Sequence, residues 1–211
     1  MDQTANLRWS SRKAVLVMAL LGWPALAAAQ LLGISLPSAT TATTALNGQA
    51  TAVRATVLGT TTTLADTGSL AGADDARNNS LLTGAVPGLL AGETLATTSI
   101  GWPDQVASAA SLGNLALSVA GTGVSATLVM ASAKAVLGAA GSGASTLDNL
   151  AINGVPVSVT GSPNQVIDIV GGRVVINEQA SLPGGIVVNA LHVLLDGVAD
   201  VVVGSATAAI Q

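Results

Sequence analysis

The sequence predicts an all-β fold, an antiparallel β-sandwich of about ten strands built from hairpins. Three observations carry this. First, Val and Thr are abundant, and their β-branched side chains suit a pleated sheet. Second, the 211 residues include no Cys, Phe or Tyr and only three Trp, so a core must be filled by aliphatic side chains. Third, extended segments alternate with turn dipeptides of hairpin chemistry. A β-solenoid is the alternative, but it asks for a fixed repeat of roughly 20–50 residues, and none is evident.

The N-terminus is read first because it sets the compartment. Arg8, Arg12 and Lys13 form a positive region, and Ala14–Trp23 is an apolar run of about ten residues. Pro24 breaks the run, and Ala27-Ala28-Ala29 offers a small-x-small cleavage site before Gln30. The run is too short to cross a bilayer, which takes roughly 20 residues. Met1–Ala29 is therefore expected to be a signal peptide, and residues 30–47 a leader or first edge strand. Residues 48–211 are expected to form one all-β domain, secreted or retained in the periplasm.

Strands follow in order. Gln49–Leu58 and Thr60–Leu64 alternate and lead to the turn Asp66-Thr67-Gly68. Gly72–Ser80 reads as a polar loop. Leu89–Ile100 and Gln105–Ala120 flank the turn Gly101–Asp104. Gly121-Thr122-Gly123 then sends Val124–Leu137 back as a strand, with helix as its alternative because of its Ala content. Gly138–Ser145 reads as a flexible loop. Asn153-Gly154 joins Leu147–Ile152 to Val155–Val159, Gly171-Gly172 joins Val166–Val170 to Arg173–Asn177, and Asp196-Gly197 joins Ile186–Leu195 to Val198–Ala209.

Charge narrows the function classes. Residues 30–211 hold 4 basic and 10 acidic side chains, a net charge of −6. Such a chain lacks the cations that displace phosphate counterions, which argues against nucleic acid, and against electrostatic attachment to anionic lipid. No second long apolar run predicts a membrane span.

Few residues suggest chemistry. Asp66-Thr67-Gly68-Ser69 matches the aspartic-peptidase signature, with Ile169-Val170-Gly171-Gly172 as a candidate second motif. That chemistry needs two carboxylates sharing one proton; ordinary turn chemistry explains the same residues. His192 is the only histidine, and no G-x-S-x-G elbow accompanies it. Alternation places it with Val188, Ala190 and Leu194. Asp74, Asp75, Asn78 and Asn79 share one loop, and Asp196 and Asp200 bracket a hairpin. Their oxygens are the calcium candidates, in no recognised spacing. No other cofactor is expected. Trp102 alone could stack on a sugar, which weighs against a carbohydrate-binding module. In Val174–Ala180, alternation puts Val174, Ile176 and Glu178 on the core face. Asn177 and Glu178 are expected to hold loop backbone, Glu178 through the Pro183-Gly184-Gly185 loop or Arg173. A recognition site made with His192 is the alternative.

With the hairpins laid out, the chain resembles the bacterial choice-of-anchor P family of exported domains. The resemblance rests on TTTLADTG (Thr61–Gly68), PGLLAGETL (Pro87–Leu95), SAASLGNLALSV (Ser108–Val119) and VSATLVMASA (Val124–Ala133). It rests more specifically on LAINGVPV (Leu150–Val157), PNQ (Pro163–Gln165), VVINEQ (Val174–Gln179) and VNALHV (Val188–Val193). It implies a secreted or surface-displayed all-β domain and brings no catalytic residues. The family's C-terminal sorting signals have no counterpart at Ile210-Gln211, so release, or retention by partners, is expected.

The sequence thus points to a secreted, non-enzymatic structural or interaction domain at or outside the bacterial cell envelope. The alternatives are an aspartic-type peptidase using Asp66 and a carbohydrate-binding module. Strands with few charges leave sheet edges poorly guarded, so self-assembly or a cell-surface partner is expected. Mass spectrometry of the culture supernatant should find a chain starting within two residues of Gln30; a full-length cytoplasmic chain would overturn the export reading.

Overall fold

The computed structural model describes residues 45–211. The signal peptide and the leader as far as residue 44 lie outside the described residues. The thirteen strands are β1 (Leu46–Val57), β2 (Thr60–Asp66), β3 (Ala76–Val86), β4 (Leu90–Gly101), β5 (Gln105–Val119), β6 (Thr122–Val136) and β7 (Ser142–Asp148), then β8 (Ala151–Ile152), β9 (Val155–Pro156), β10 (Gln165–Ile169), β11 (Gly172–Leu182), β12 (Gly185–Leu195) and β13 (Ala199–Ile210). They form two antiparallel sheets. One runs β10-β11-β12-β13-β1-β2; the other runs β3-β4-β5-β6-β8-β9, with β7 also paired to β6. The sheets pack face to face, β13 on β5 and β6, and β1 on β4 and β5. This is the β-sandwich the sequence predicts.

Most hairpins fall where the turn residues place them. Gly171, Gly197 and Asn153-Gly154 adopt the positive φ that tight hairpins require. Several boundaries differ. The reading Gly72–Ser80 as one loop ends early: Ala76–Ser80 pairs with β4, because Arg77, Asn78, Asn79 and Ser80 tolerate an exposed edge strand. The Gly138–Ser145 loop likewise ends at Ser142, where β7 begins. Gly143 there lies against the Val188 side chain of β12, a close approach that a Cβ would obstruct. Val124–Val136 is strand, paired along its length to β5, and Leu137 begins the turn, so the Ala content serves sheet packing. The Asn153-Gly154 hairpin is shorter than read, with two residues per strand, because Leu147 and Asp148 belong to β7. Leu46 and Asn47 belong to β1, which lies between β13 and β2 and is not an edge.

The interior is aliphatic. Leu95, Leu112, Leu150, Ile176, Leu191 and Ile210 are its largest fully buried side chains, packed among Val and Ala. Among its few polar members, Ser99 Oγ and Ser108 Oγ meet at 2.7 Å and Thr97 Oγ1 donates to Asn79 O at 3.2 Å.

Strict alternation does not hold along the strands. In the first sheet Ala52 and Val53 are both buried, as are Ala190 and Leu191, Val203 and Gly204, and Ile176 and Asn177. The reason is a line of left-handed residues. Register places Asn177, Ala190, Gly204, Ala52 and Ala65 side by side across β11, β12, β13, β1 and β2. Asn177 (φ 52°), Gly204 (φ 68°) and Ala65 (φ 47°) have positive φ, on every second strand. Such a residue rotates the chain, so the faces exchange beyond it. The second sheet has matching residues, Thr94 (φ 51°), Asn114 (φ 48°) and Asn149 (φ 53°), with register shifts beside Glu93.

Gly204 tests this device. A Cβ there would lie 3.2 Å from Ala190 Cβ in a backbone that L-residues rarely adopt. Gly204→Val should cost about 2–4 kcal/mol by denaturant unfolding. At the exposed turn residue Gly197, with nothing within 4 Å of a Cβ, Gly197→Ala should cost only about 1 kcal/mol.

Candidate functional site

The face exchange shapes the outer surface of the first sheet. Outward side chains on one strand normally recur every second residue, about 6.7 Å apart. Across the left-handed line they are three residues apart. On one side stand Thr63, Arg54, Val202, His192 and Val175; on the other stand Asp66, Thr51, Ser205, Asn189 and Glu178. Between them runs a transverse trough across five strands, about 19 Å from end to end at ordinary strand spacing. Its floor is backbone.

At the β11–β12 end the trough is bridged. Asn189 Nδ2 donates to Glu178 Oε2 at 2.6 Å, and Ser205 Oγ donates to Asn189 Oδ1 at 2.7 Å. His192 Nδ1 lies 2.8 Å from Glu178 Oε2, and His192 Nε2 lies 3.0 Å from Asp200 Oδ1. Carboxylates only accept, so an imidazole with hydrogen on both nitrogens makes both contacts in full. The His192 side chain is 12 % exposed and Glu178 31 %, so the bridge is partly shielded from water.

Toward β2 the trough opens into a recess of about 260 Å³, lined by Gln49, Thr51, Arg54, Thr63, Asp66, Val187, Asn189, Ser205 and Thr207. Polar groups converge there from four strands, which is what marks a binding site. A larger groove of about 540 Å³ on the second sheet is lined mainly by Ala, Ser and Gly and offers Lys134 as its one charge.

The residues singled out from sequence fare differently. Asp66 Oδ1 accepts from Gly68 N at 2.6 Å, and Gln49 Nε2 donates to both Asp66 oxygens at 3.1 Å. That is the side-chain-capped turn. No second carboxylate joins it among the described residues. Ile169-Val170-Gly171-Gly172 runs from the end of β10 through the turn into β11, with β10 at the opposite edge of the sheet, about 24 Å from β2 at ordinary spacing, and with Val170 93 % exposed at the hairpin tip.

The calcium candidates are divided. Asp74 and Asp75 are in the loop before β3, while Asn78 and Asn79 are on it, where neighbours point to opposite faces. Asp75 accepts from Ala71 N at 2.7 Å and Arg77 Nε at 2.9 Å; the backbone bond first, then the guanidinium, hold its carboxyl below the ordinary value. Asn79 Nδ2 donates to Asp66 O at 3.0 Å. Asp196 is in the β12–β13 turn, where its backbone N donates to Gly171 O, and Asp200, which lines the same surface hollow as Asp196, contacts His192.

Asn177, Glu178 and His192 are partly rearranged. Asn177 is buried, at 3 % exposure, and donates to Gly161 O at 3.1 Å; Asn164 N donates to Asn177 O at 2.9 Å. It does hold loop backbone. Glu178 does not. It faces outward because the left-handed Asn177 reverses the alternation, so its partners are Asn189 and His192, not Arg173 or the Pro183-Gly184-Gly185 loop. For the same reason His192 leaves the face of Val188 and Ala190 and joins the outer one. The signal sequence reasoning missed is Asn or Gly inside an apolar run: Val-Val-Ile-Asn177 and Val-Val-Val-Gly204.

Against known proteins, the chain matches no family model, no curated protein and no solved structure.

The double role of Asn177 can be separated. Asn177→Ala loses the buried amide contacts and retains the left-handed strain, and should cost about 2–4 kcal/mol. Asn177→Gly relieves the strain and should cost about 1 kcal/mol less. Equal losses on chemical denaturation would mean that the backbone conformation contributes nothing.

Proposed function

We propose that this chain is an exported, non-enzymatic interaction domain that acts at or outside the bacterial cell envelope through the outer face of its first sheet. One observation carries the reading. The carboxylates and the histidine beside the trough, Asp66, Glu178, Asp200 and His192, are tied to one another or to backbone, and none is aimed as a base at a nucleophile. Both His192 nitrogens face carboxylates, and the Ser205 hydroxyl donates to Asn189. A nucleophile and its base should instead share a hydrogen bond. Export is supported by the N-terminal pattern of charge, apolar run and small residues, and by the resemblance to choice-of-anchor P domains. No helix among the described residues is long and apolar enough to cross a membrane.

The peptidase alternative has a direct test. The protein and its Asp66→Asn variant should release no more peptide from denatured casein at acidic pH than buffer does. The variant should melt within about 1 kcal/mol of the parent, since an Asn oxygen can still accept from Gly68 N. Casein cleavage that Asp66→Asn abolishes would replace this reading with the peptidase one.

A second reading, self-association, is favoured by β3. This edge strand has eleven residues, no Pro, and Arg77 as its only charge. Leu82 on it is 83 % exposed. Charged side chains and Pro are the usual guards of such edges. Under this reading, size-exclusion elution depends on protein concentration, and Leu82→Lys elutes as monomer throughout; coincident elution of the two would dismiss it.

A further inference from the structure

We infer that the recess between β2, β1, β13 and β12 is a subsite for one ring of a neutral glycan. This rests on the reading of the chain as an interaction domain and gives its ligand a chemical class.

Size comes first. Pockets for drug-sized ligands span about 300–1,000 Å³. A recess of about 260 Å³ takes one small ring and not several. Its depth comes from the left-handed line, since Ala52 and Gly204 place no outward side chain on its floor.

Chemistry comes next. Arg54 stands on one wall, exposed, and makes no ion pair among the described residues. It can only donate. Asp66 stands on the opposite wall and accepts. Thr51 and Thr63 carry hydroxyls that do either, and the Ser205 hydroxyl, whose hydrogen goes to Asn189 Oδ1, can still accept. A sugar ring carries hydroxyls on several edges, each both donor and acceptor, and so can engage both walls together. An anionic ligand would meet Asp66, with Glu178 held on the lining residue Asn189. A cationic one would meet Arg54. An apolar one would leave these groups desolvated without partners, which is costly. Net charge gives the same answer, because an acidic domain repels acidic polymers.

Direction follows from the strand order. The Glu178–His192 contact closes the trough toward β11. The other end reaches β2, an edge strand, so the remainder of a glycan leaves over that edge. Trp102, the one aromatic among the described residues, is in the β4–β5 turn of the other sheet, so none of the described residues offers the recess an aromatic platform. Binding then depends on hydrogen bonds exchanged with water, and the affinity is weak, with Kd on the order of 1 mM.

The test is an amide NMR titration of the purified full chain with maltohexaose, cellohexaose and chitohexaose, and with an oligogalacturonate as the acidic probe. At least one neutral probe should shift amides of Thr51–Ala55, Thr63–Asp66 and Gly204-Ser205. Arg54→Ala and Thr51→Val should each weaken that binding about tenfold or more with amide dispersion retained, and Lys134→Ala on the other sheet should not alter it. Absence of any shift with all three neutral probes, shifts confined to other surfaces, or tighter binding of the acidic probe would overturn the inference. Cleavage of a bound probe would instead overturn the non-enzymatic reading and leave the ligand class standing, whereas absent binding leaves that reading untouched.

Discussion

The transverse line of left-handed residues is the constraint on which the first sheet depends. A positive φ on a non-glycine residue costs about 1–2 kcal/mol. A single such residue would leave one strand out of phase with its neighbours. Here Asn177, Gly204 and Ala65 are in register, with Ala190 and Ala52 between them, so five strands exchange faces together. The pairing continues in the same register on both sides of the line. Strain is tolerated because the flanking Ile176, Leu191 and Val203 are fully buried on the inner face.

The same line produces the core and the candidate site. On the inside, two successive residues per strand face inward, and small side chains such as Ala52 and Ala190 fit there against the second sheet. An interior without aromatics suits this arrangement, since a large ring would not fit beside a doubled inward row. On the outside, the missing row becomes the trough. Apart from Val202 and Val175, its walls are polar residues that alternation would otherwise have distributed between core and surface.

The bridge at one end of the trough illustrates a general point about partly buried polar groups. Glu178, His192, Asn189, Ser205 and Asp200 satisfy one another in a chain. Among the described residues no buried side-chain nitrogen or oxygen lacks a partner. A fully satisfied network of this kind fixes geometry more than it adds stability, because its desolvation offsets much of its attraction. It defines where the recess ends.

The hairpins, the sandwich class and the aliphatic core were legible in the sequence because turns are local. Gly171, Gly197 and Asn153-Gly154 impose their conformation through their own φ preferences. The roles of Glu178 and His192 were not legible. A period-two reading of Val174–Ala180 is correct as far as Ile176 and reversed after Asn177. Asn177 and Gly204 carried a hint, as residues tolerant of positive φ inside apolar runs, but Ala65 carried none. Ala has no such preference, and it adopts the conformation because Asp66 and Gly68 close the turn beside it and its neighbours demand the register. Which face a strand residue occupies is set by pairing across the sheet, so tertiary structure alone decided that Glu178 and His192 meet on the surface and that Asn177 is buried.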